Sequence, residues 1–393
     1  MDASVQSRSQ MSPDRLGSAC LKVVAAAGAV AGGPVLAEAP DRNHRLGTTY
    51  TSDNIANIRG GLKTGFSQMG LLEVTGDARG KVFGIEGVEA HVSAQYVHGR
   101  SLSAKLIGDA QVSSNIDAPD GLRLFEGWIS VPIARDAYLK AGMIDLNSEF
   151  DVQNTGALFL NSSHGIGPDF SQSGLNGPSI FPTTSSAIIA SVTRGRMTFR
   201  AGLFDAIAGD PDHPRRTVIR PPGKTGLLLV GEAELRFSDV AEVQAGAWCY
   251  SNSFEAIPVG NVEPDDRERG NCGAYILADG RLGTVQRSPV NAWIRAGSAD
   301  RRFNPIAIYV GGGVTVGREG RKFGLSIAHA RLGRRARNAG SSRAETLLEA
   351  TYAHAIGERI TVQPDVQLVL SPAFDRTLRN SLSAGVRVQL TLF

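Results

Sequence analysis

A chain of 393 residues with 46 glycines, 6% aromatic residues, 20% charged residues and a net charge of +3 could hold several soluble domains, but its charge is too small to argue for a nucleic-acid partner. Mean hydropathy is close to zero because polar and apolar residues are mixed at short range. Only 7 of the 41 basic residues are lysine, so the positive charge is carried by arginine forks, which suit the wall of a wet cavity; GC-rich coding is the other source of such an excess.

In chain order, residues 1–37 read as an export signal. Arg15 and Lys22 supply the positive charge, Val23 to Ala31 the short apolar core, and Val35-Leu36-Ala37 a small-residue cleavage site, so the mature domain is expected to be 38–393. The polar leader before Arg15 leaves Met11 as an alternative start. Leu16 to Cys20 has the apolar core after the cysteine rather than before it, so lipidation is not expected. No later run of 18 apolar residues could cross a membrane as a helix.

The long stretch Gly142 to Pro182 exceeds an ordinary connection between strands, and loops of this length are usually functional or disordered. Phe150, Phe159, Phe170 and Phe181 recur along it and argue for anchoring. Beyond it, Met197, Phe199, Ala201 and Leu203 alternate with Arg196, Thr198, Arg200 and Gly202. The same period of two runs from Ile360 to Leu370 and from Ser381 to Leu392, and it puts each set on one sheet face. Cys249 and Cys272 flank a polar segment; in an oxidising compartment a disulfide is expected, with two free buried thiols as the alternative.

The opposite face carries Arg, Gln, Glu, Ser and Gly rather than the Lys and Glu of an open sandwich surface. Strands of about nine to eleven residues match a tilted crossing of the hydrocarbon layer. Lipid cannot satisfy a free strand edge, so such a protein must close. The expected fold is all-β: a transmembrane antiparallel β-barrel of about 16 strands, with 18 as the alternative, and a long loop folded into the lumen. The terminal Phe393 suits an outer-membrane strand, but it shares parity with Thr391, Gln389 and Arg387; either a bulge between Gln389 and Leu392 shifts the register, or the last residue leaves the sheet.

The segments GMIDLNSEFDV, ALFLNSSHGIGPDFSQSG and GPSIFPTTS, with the early NIRGGLKTG, LFEGWI at Leu124 to Ile129, GAYILADGRL at Gly273 to Leu282 and the closing ETLLEATY and ITVQPDVQLVLSP, resemble the carbohydrate-selective porin family of the OprB type. The resemblance spans Tyr50 to Phe393. It implies a barrel of about 16 strands in the outer membrane of a Gram-negative cell that passes small sugars passively, with long loops outside and short turns on the periplasmic side. The partners so implied are the sugars as permeating solutes, membrane lipid and the barrel assembly machinery; a homo-oligomer through the apolar wall is left open. The alternative is a non-conducting barrel acting as an envelope scaffold or binding protein.

Sugar passage needs hydration replaced by weak, reversible hydrogen bonds. Alternation puts Arg196, Arg200, Glu232, Glu234, Arg236, Gln363, Asp365, Gln367, Arg387 and Gln389 on the lumen side, although opposed charges there could simply neutralise one another. On the long stretch, Asp145, Asn147, Asn161, His164, Asp169 and Gln172 are expected to present polar groups to the sugar while the phenylalanines hold the wall; an outward-folded lid or subunit contact is the competing arrangement. Asp145, Glu149, Asp151 and Asp169 show no spacing that singles out a glycosidase pair. His164 lacks partners at metal-ligand spacing, and Gly223-Lys224-Thr225 lacks the upstream glycine of a phosphate loop. No catalytic residue, metal or cofactor is expected.

Overall fold

The computed structural model describes residues 44–238, 240–259 and 267–393. The expected export signal and its cleavage site lie outside the described residues. No helix among the described residues is long and apolar enough to cross a membrane. The crossing elements are strands.

The first wall runs through β1 (His44–Gly61), β2 (Gly65–Val82), β3 (Ile85–Gly99), β4 (Gly121–Ala134), β5 (Ala137–Ile144), β6 (Ser185–Arg194), β7 (Met197–Asp205), β8 (Leu227–Ser238) and β9 (Ala241–Tyr250). After a short ribbon of β10 (Phe254–Glu255) and β11 (Arg267–Glu268), the wall resumes with β12 (Cys272–Val285), β13 (Ser288–Ala299), β14 (Ile306–Arg318), β15 (Arg321–Leu332), β16 (Ala344–Ile356), β17 (Ile360–Leu370) and β18 (Arg379–Thr391). Each wall strand pairs antiparallel with the next, β9 pairs with β12, and β1 closes on β18. The barrel therefore has 16 strands; the two further strands form the separate ribbon, which removes the alternative of 18.

Alternation assigns the faces. On β7, Met197, Phe199 and Leu203 are about two-fifths exposed while Thr198 and Phe204 are buried. Register carries this division around the wall, so Ile276, Ile294, Val310, Leu325 and Val366 lie on the outer face. Closure leaves no free edge, which is what a hydrocarbon surrounding demands.

Short turns join β2 to β3, β4 to β5, β6 to β7 and their successors at one end, and the long connections lie at the other. Cys249 and Cys272 are direct register partners on β9 and β12 and are disulfide-bonded, tying the base of one long connection. No register shift interrupts β18 near its end. The strand stops at Thr391, and Phe393 lies beyond it, 68% exposed, with its carbonyl accepting the Thr48 N–H at 3.0 Å. Of the two sequence alternatives, the terminal residue leaving the sheet is the one observed.

Two connections fold into the barrel. The first, residues 145–184, is the long stretch expected from sequence. All four of its phenylalanines are buried, and each meets an aromatic ring of the inner wall: Phe150 meets Phe204, Phe159 meets Trp293, Phe170 meets Trp248 and Phe181 meets Phe125. This settles the direction of the loop as inward. The second, residues 100–120, was not anticipated; its Leu102, Leu106, Ile107 and Ile116 are fully buried against Met69, Leu71, Tyr309 and Leu347 of the wall.

Candidate functional site

Backbone N–H groups brought into a barrel lumen must find acceptors, because loop backbone has no ladder to satisfy it. Inner-wall carboxylates supply them. Glu349 accepts from Leu160 at 2.6 Å and Asn161 at 3.1 Å, and Glu345 from Ala110 and Gln111 at 2.9 Å and from Ala373 at 2.7 Å. Glu232 accepts from Asp151 at 2.8 Å, and Asp279 from Thr155 at 2.7 Å. Two wall amides complete the grip, Gln363 donating to the Leu158 carbonyl at 2.7 Å and Gln367 to that of Ser113 at 2.8 Å.

At the centre of the 145–184 loop, Arg295 of β13 is fully buried. It donates to both oxygens of Asp151, at 3.0 and 3.1 Å from Nε and 2.8 Å from Nη2, and pairs with Asp169 at the start of the single helical turn α1 (Pro168–Ser171). Gly167 and Gly297 leave room for this cluster, since a methyl group on either would overlap the Arg295 guanidinium. Burial pushes the Asp151 carboxyl up to about 7 in spite of the arginine, and raises Asp169 for the same reason. One guanidinium between two buried carboxyls favours retention of a proton.

The loop residues expected to meet a solute are mostly turned to structural use. Asp145 caps the turn Leu146–Ser148 by accepting the Asn147 N–H at 3.0 Å, and burial with Glu126 nearby pushes its carboxyl well above the usual range. Asn147 donates to the carbonyls of Phe150 and Asp151 at 3.1 and 3.0 Å. Asn161 donates to the Val112 carbonyl at 3.0 Å and Gln172 to that of Ala110 at 2.6 Å, so both bind one inward loop to the other. His164 is fully buried, 2.8 Å from the Ser326 hydroxyl, and desolvation lowers its pKa to about 3, which keeps the ring neutral.

On the wall, Arg196 lies in the turn before β7, exposed, donating to the Phe237 carbonyl at 3.3 Å. Asp365 is buried and accepts from Gln367 at 3.0 Å. Arg387 donates to both oxygens of Asp53 at 2.7 and 2.8 Å and to Asn115 of the second inward loop at 2.7 Å, leaving about a tenth of its side chain exposed.

What remains partly exposed inside the barrel forms a different constellation, drawn mainly from β2 to β9. Arg200 bridges Glu232 at 3.0 Å and Glu234 at 2.8 Å, and Arg236 holds the second Glu234 oxygen at 2.8 Å. Next to it, Glu149 of the loop accepts from Tyr138 at 2.7 Å and from Lys140, whose Nζ lies 3.9 Å from the Trp128 ring centre. His91 stacks on Trp128 at 5.3 Å and lies 2.7 Å from Asp77. Glu73 accepts from Ser93 at 2.9 Å and Gln95 at 2.8 Å, and Glu242 from Asn154 at 3.1 Å. Alternation places Arg200, Glu232, Glu234 and Arg236 on the lumen side and their ion pairs join them, whereas Glu73, Trp128, Tyr138, Lys140 and Glu149 lie outside the lumen set expected from sequence. Alternation on β5 placed Tyr138 and Lys140 on one face and was the available signal. Among the described residues no cluster of His, Cys, Asp and Glu could hold a metal ion.

A closed barrel lined by charge and narrowed by inward loops is the architecture of a channel. Among solved structures, the chain is similar to Pseudomonas putida OprB in its high-pH structure, with a TM-score of 0.77 at 14% identity over 89% of this chain and 94% of that one. Its low-pH structure gives a TM-score of 0.57 at 12% identity over 89% and 93%. A substituted porin of Rh. blastica gives 0.55 at 11% identity over 89% and 100%. A comparison with curated protein sequences finds no match. The model of the carbohydrate-selective porin family, OprB type, matches residues 79–392. The protein is an outer-membrane porin and belongs to the OprB family of carbohydrate-selective porins.

Proposed function

We propose that the protein conducts small sugars by facilitated diffusion across the outer membrane of a Gram-negative cell, without catalysis or an energy source. The observation that carries this reading is the partly exposed set Glu73, Glu126, Tyr138, Lys140, Arg200 and Arg236, with the buried carboxylates Glu149 and Glu234 paired to it, on the lumen side of the wall beside the two inward loops. Fixed donors and acceptors of both signs replace the hydration of a polyol from several sides, while mutual pairing keeps each site weak enough for release. Arg387, beside Asn115, contributes a further donor at the edge of the second loop. In this reading Asp145, Asn147, Asn161, His164, Asp169 and Gln172 act on the solute indirectly, by setting the loop position.

The long connections face outward, the short turns face the periplasm, lipid covers the apolar wall, and the assembly machinery engages the C-terminal strand. A non-conducting scaffold is the second reading, favoured by how much of the lumen the two loops occupy. Planar-bilayer conductance with glucose or maltose decides between them: a sugar channel gives an ion current reduced by millimolar sugar, and no current at all overturns the proposal.

A further inference from the structure

We infer that the short-turn mouth of the lumen holds a separate subsite for a single hexopyranose ring. This rests on the sugar-conducting reading and lies apart from the two inward loops. Register brings Arg45 opposite Asp77, Arg79 opposite Glu89, Asp77 opposite His91 and His91 opposite Trp128, all on the inward parity of β1 to β4. These strands enclose a cleft of about 280 Å³ lined by Arg45, Asp77, Arg79, Glu89 and Trp128, with Ala78 and Ala90 between them.

The lining alternates guanidinium and carboxylate. A sugar hydroxyl both donates and accepts, and adjacent hydroxyls match the two-pronged geometry of each group, so a ring can be held by donation from Arg45 and Arg79 and acceptance by Asp77 and Glu89. The indole of Trp128 gives an apolar wall for the C–H groups, while Ala78 and Ala90, on the opposite parity of β2 and β3, border the cleft only through their backbone. Lys140 and His91 both lie against the Trp128 ring, so the rest of the indole borders the cleft as a wall rather than a stacking platform. The volume falls just below the ~300–1,000 Å³ typical of drug-sized pockets, which admits one sugar ring and not a chain. Arg79 and Glu89 pair at 3.3 Å but stay 71% and 46% exposed, so binding there is weak and the solute leaves readily.

The test uses tryptophan emission from the detergent-solubilised full chain titrated with glucose, beside glucose block of current in bilayers. Of the three tryptophans, Trp248 and Trp293 are 2% and 3% exposed beneath the loop, so a sugar-dependent change reports on Trp128. The expected result is a saturable change at millimolar glucose, weakened at least threefold by Arg79→Ala and by Glu89→Gln, with far-UV circular dichroism confirming that both variants fold. Block of the current with no emission change, or a change identical in both variants, overturns the subsite and leaves the sugar channel standing. An emission change lost in the variants but with no block of current supports the subsite and overturns conduction. Absence of both signals overturns both.

Discussion

Phe170 of the inward loop lies flat against Trp248 of the inner wall, with ring centres 4.9 Å apart and planes within 4° of parallel. Such a pair adds about 0.5–1.5 kcal/mol beyond the burial of the rings themselves. Phe170→Ala is expected to cost about 3–5 kcal/mol of loop docking through the cavity it leaves. Limited proteolysis should then cut between residues 150 and 172 in a variant whose barrel still resists denaturation, and an uncut loop would count against this anchor.

Arg295 poses a sharper case. Its removal leaves Asp151 and Asp169 buried without a cation, a loss of about 3–5 kcal/mol for a broken buried pair. Arg295→Met should raise single-channel conductance as the loop loosens, and Arg295→Met combined with Asp151→Asn and Asp169→Asn should recover part of the wild-type value, because no uncompensated charge remains.

The same cluster sets a pH dependence. Burial raises Asp151 to about 7 and raises Asp169 from its ordinary range, so the docked loop binds more protons than the unfolded chain. Its contribution to stability is full below the unfolded carboxylate range near ~4 and is lost as pH rises through about 7. Hydrogen-exchange protection of residues 150–170, taken relative to the base-catalysed intrinsic rate at each pH, should be greater at pH 5 than at pH 8, and Asp151→Asn should flatten the difference. A wild-type profile already flat over that interval would refute the assignment.

Arg236 is 55% exposed and makes one ion pair, so Arg236→Ala should change stability by less than about 1 kcal/mol. Its loss leaves Glu234 less compensated and should shift the reversal potential in a salt gradient toward cations. Arg200→Ala should shift it further, since both Glu232 and Glu234 lose a partner. Unchanged reversal potentials in both variants would remove these residues from the conducting path.

The disulfide closes a segment with a sequence separation of 23. Loop-closure entropy for such a length is about 3 kcal/mol, so Cys249→Ser with Cys272→Ser should lower unfolding stability by up to that amount while sugar-free conductance is retained. The comparison is a thermal melt of the two forms under oxidising conditions.

Much of the architecture is local and was therefore legible in the residues. Period-two alternation from Ile360 to Leu370 became β17 with those bounds, and the phenylalanines of the long stretch face the wall as their spacing suggested. Phe393 broke the parity of its strand because it lies past the strand end. A strand face depends on neighbours one and two residues away, which any chain carries with it.

What the tertiary structure alone decided is which inward polar groups meet water. Glu349 and Glu234 look alike in an alternating strand and both are buried, yet the first is spent on the N–H groups of Leu160 and Asn161, nearly two hundred residues earlier, and the second pairs with Arg200 and Arg236, whose guanidinium groups stay partly exposed to the lumen. The second inward loop had a sequence cue in the apolar residues of its long connection, but its direction follows from Glu345 and the pocket beneath Met69 and Leu71. The long loop at Gly142 to Pro182 is likewise a folded insert pinned to the inner wall. Most of its polar side chains bind its own backbone, the neighbouring loop or the wall, because a buried donor or acceptor left without a partner is costly.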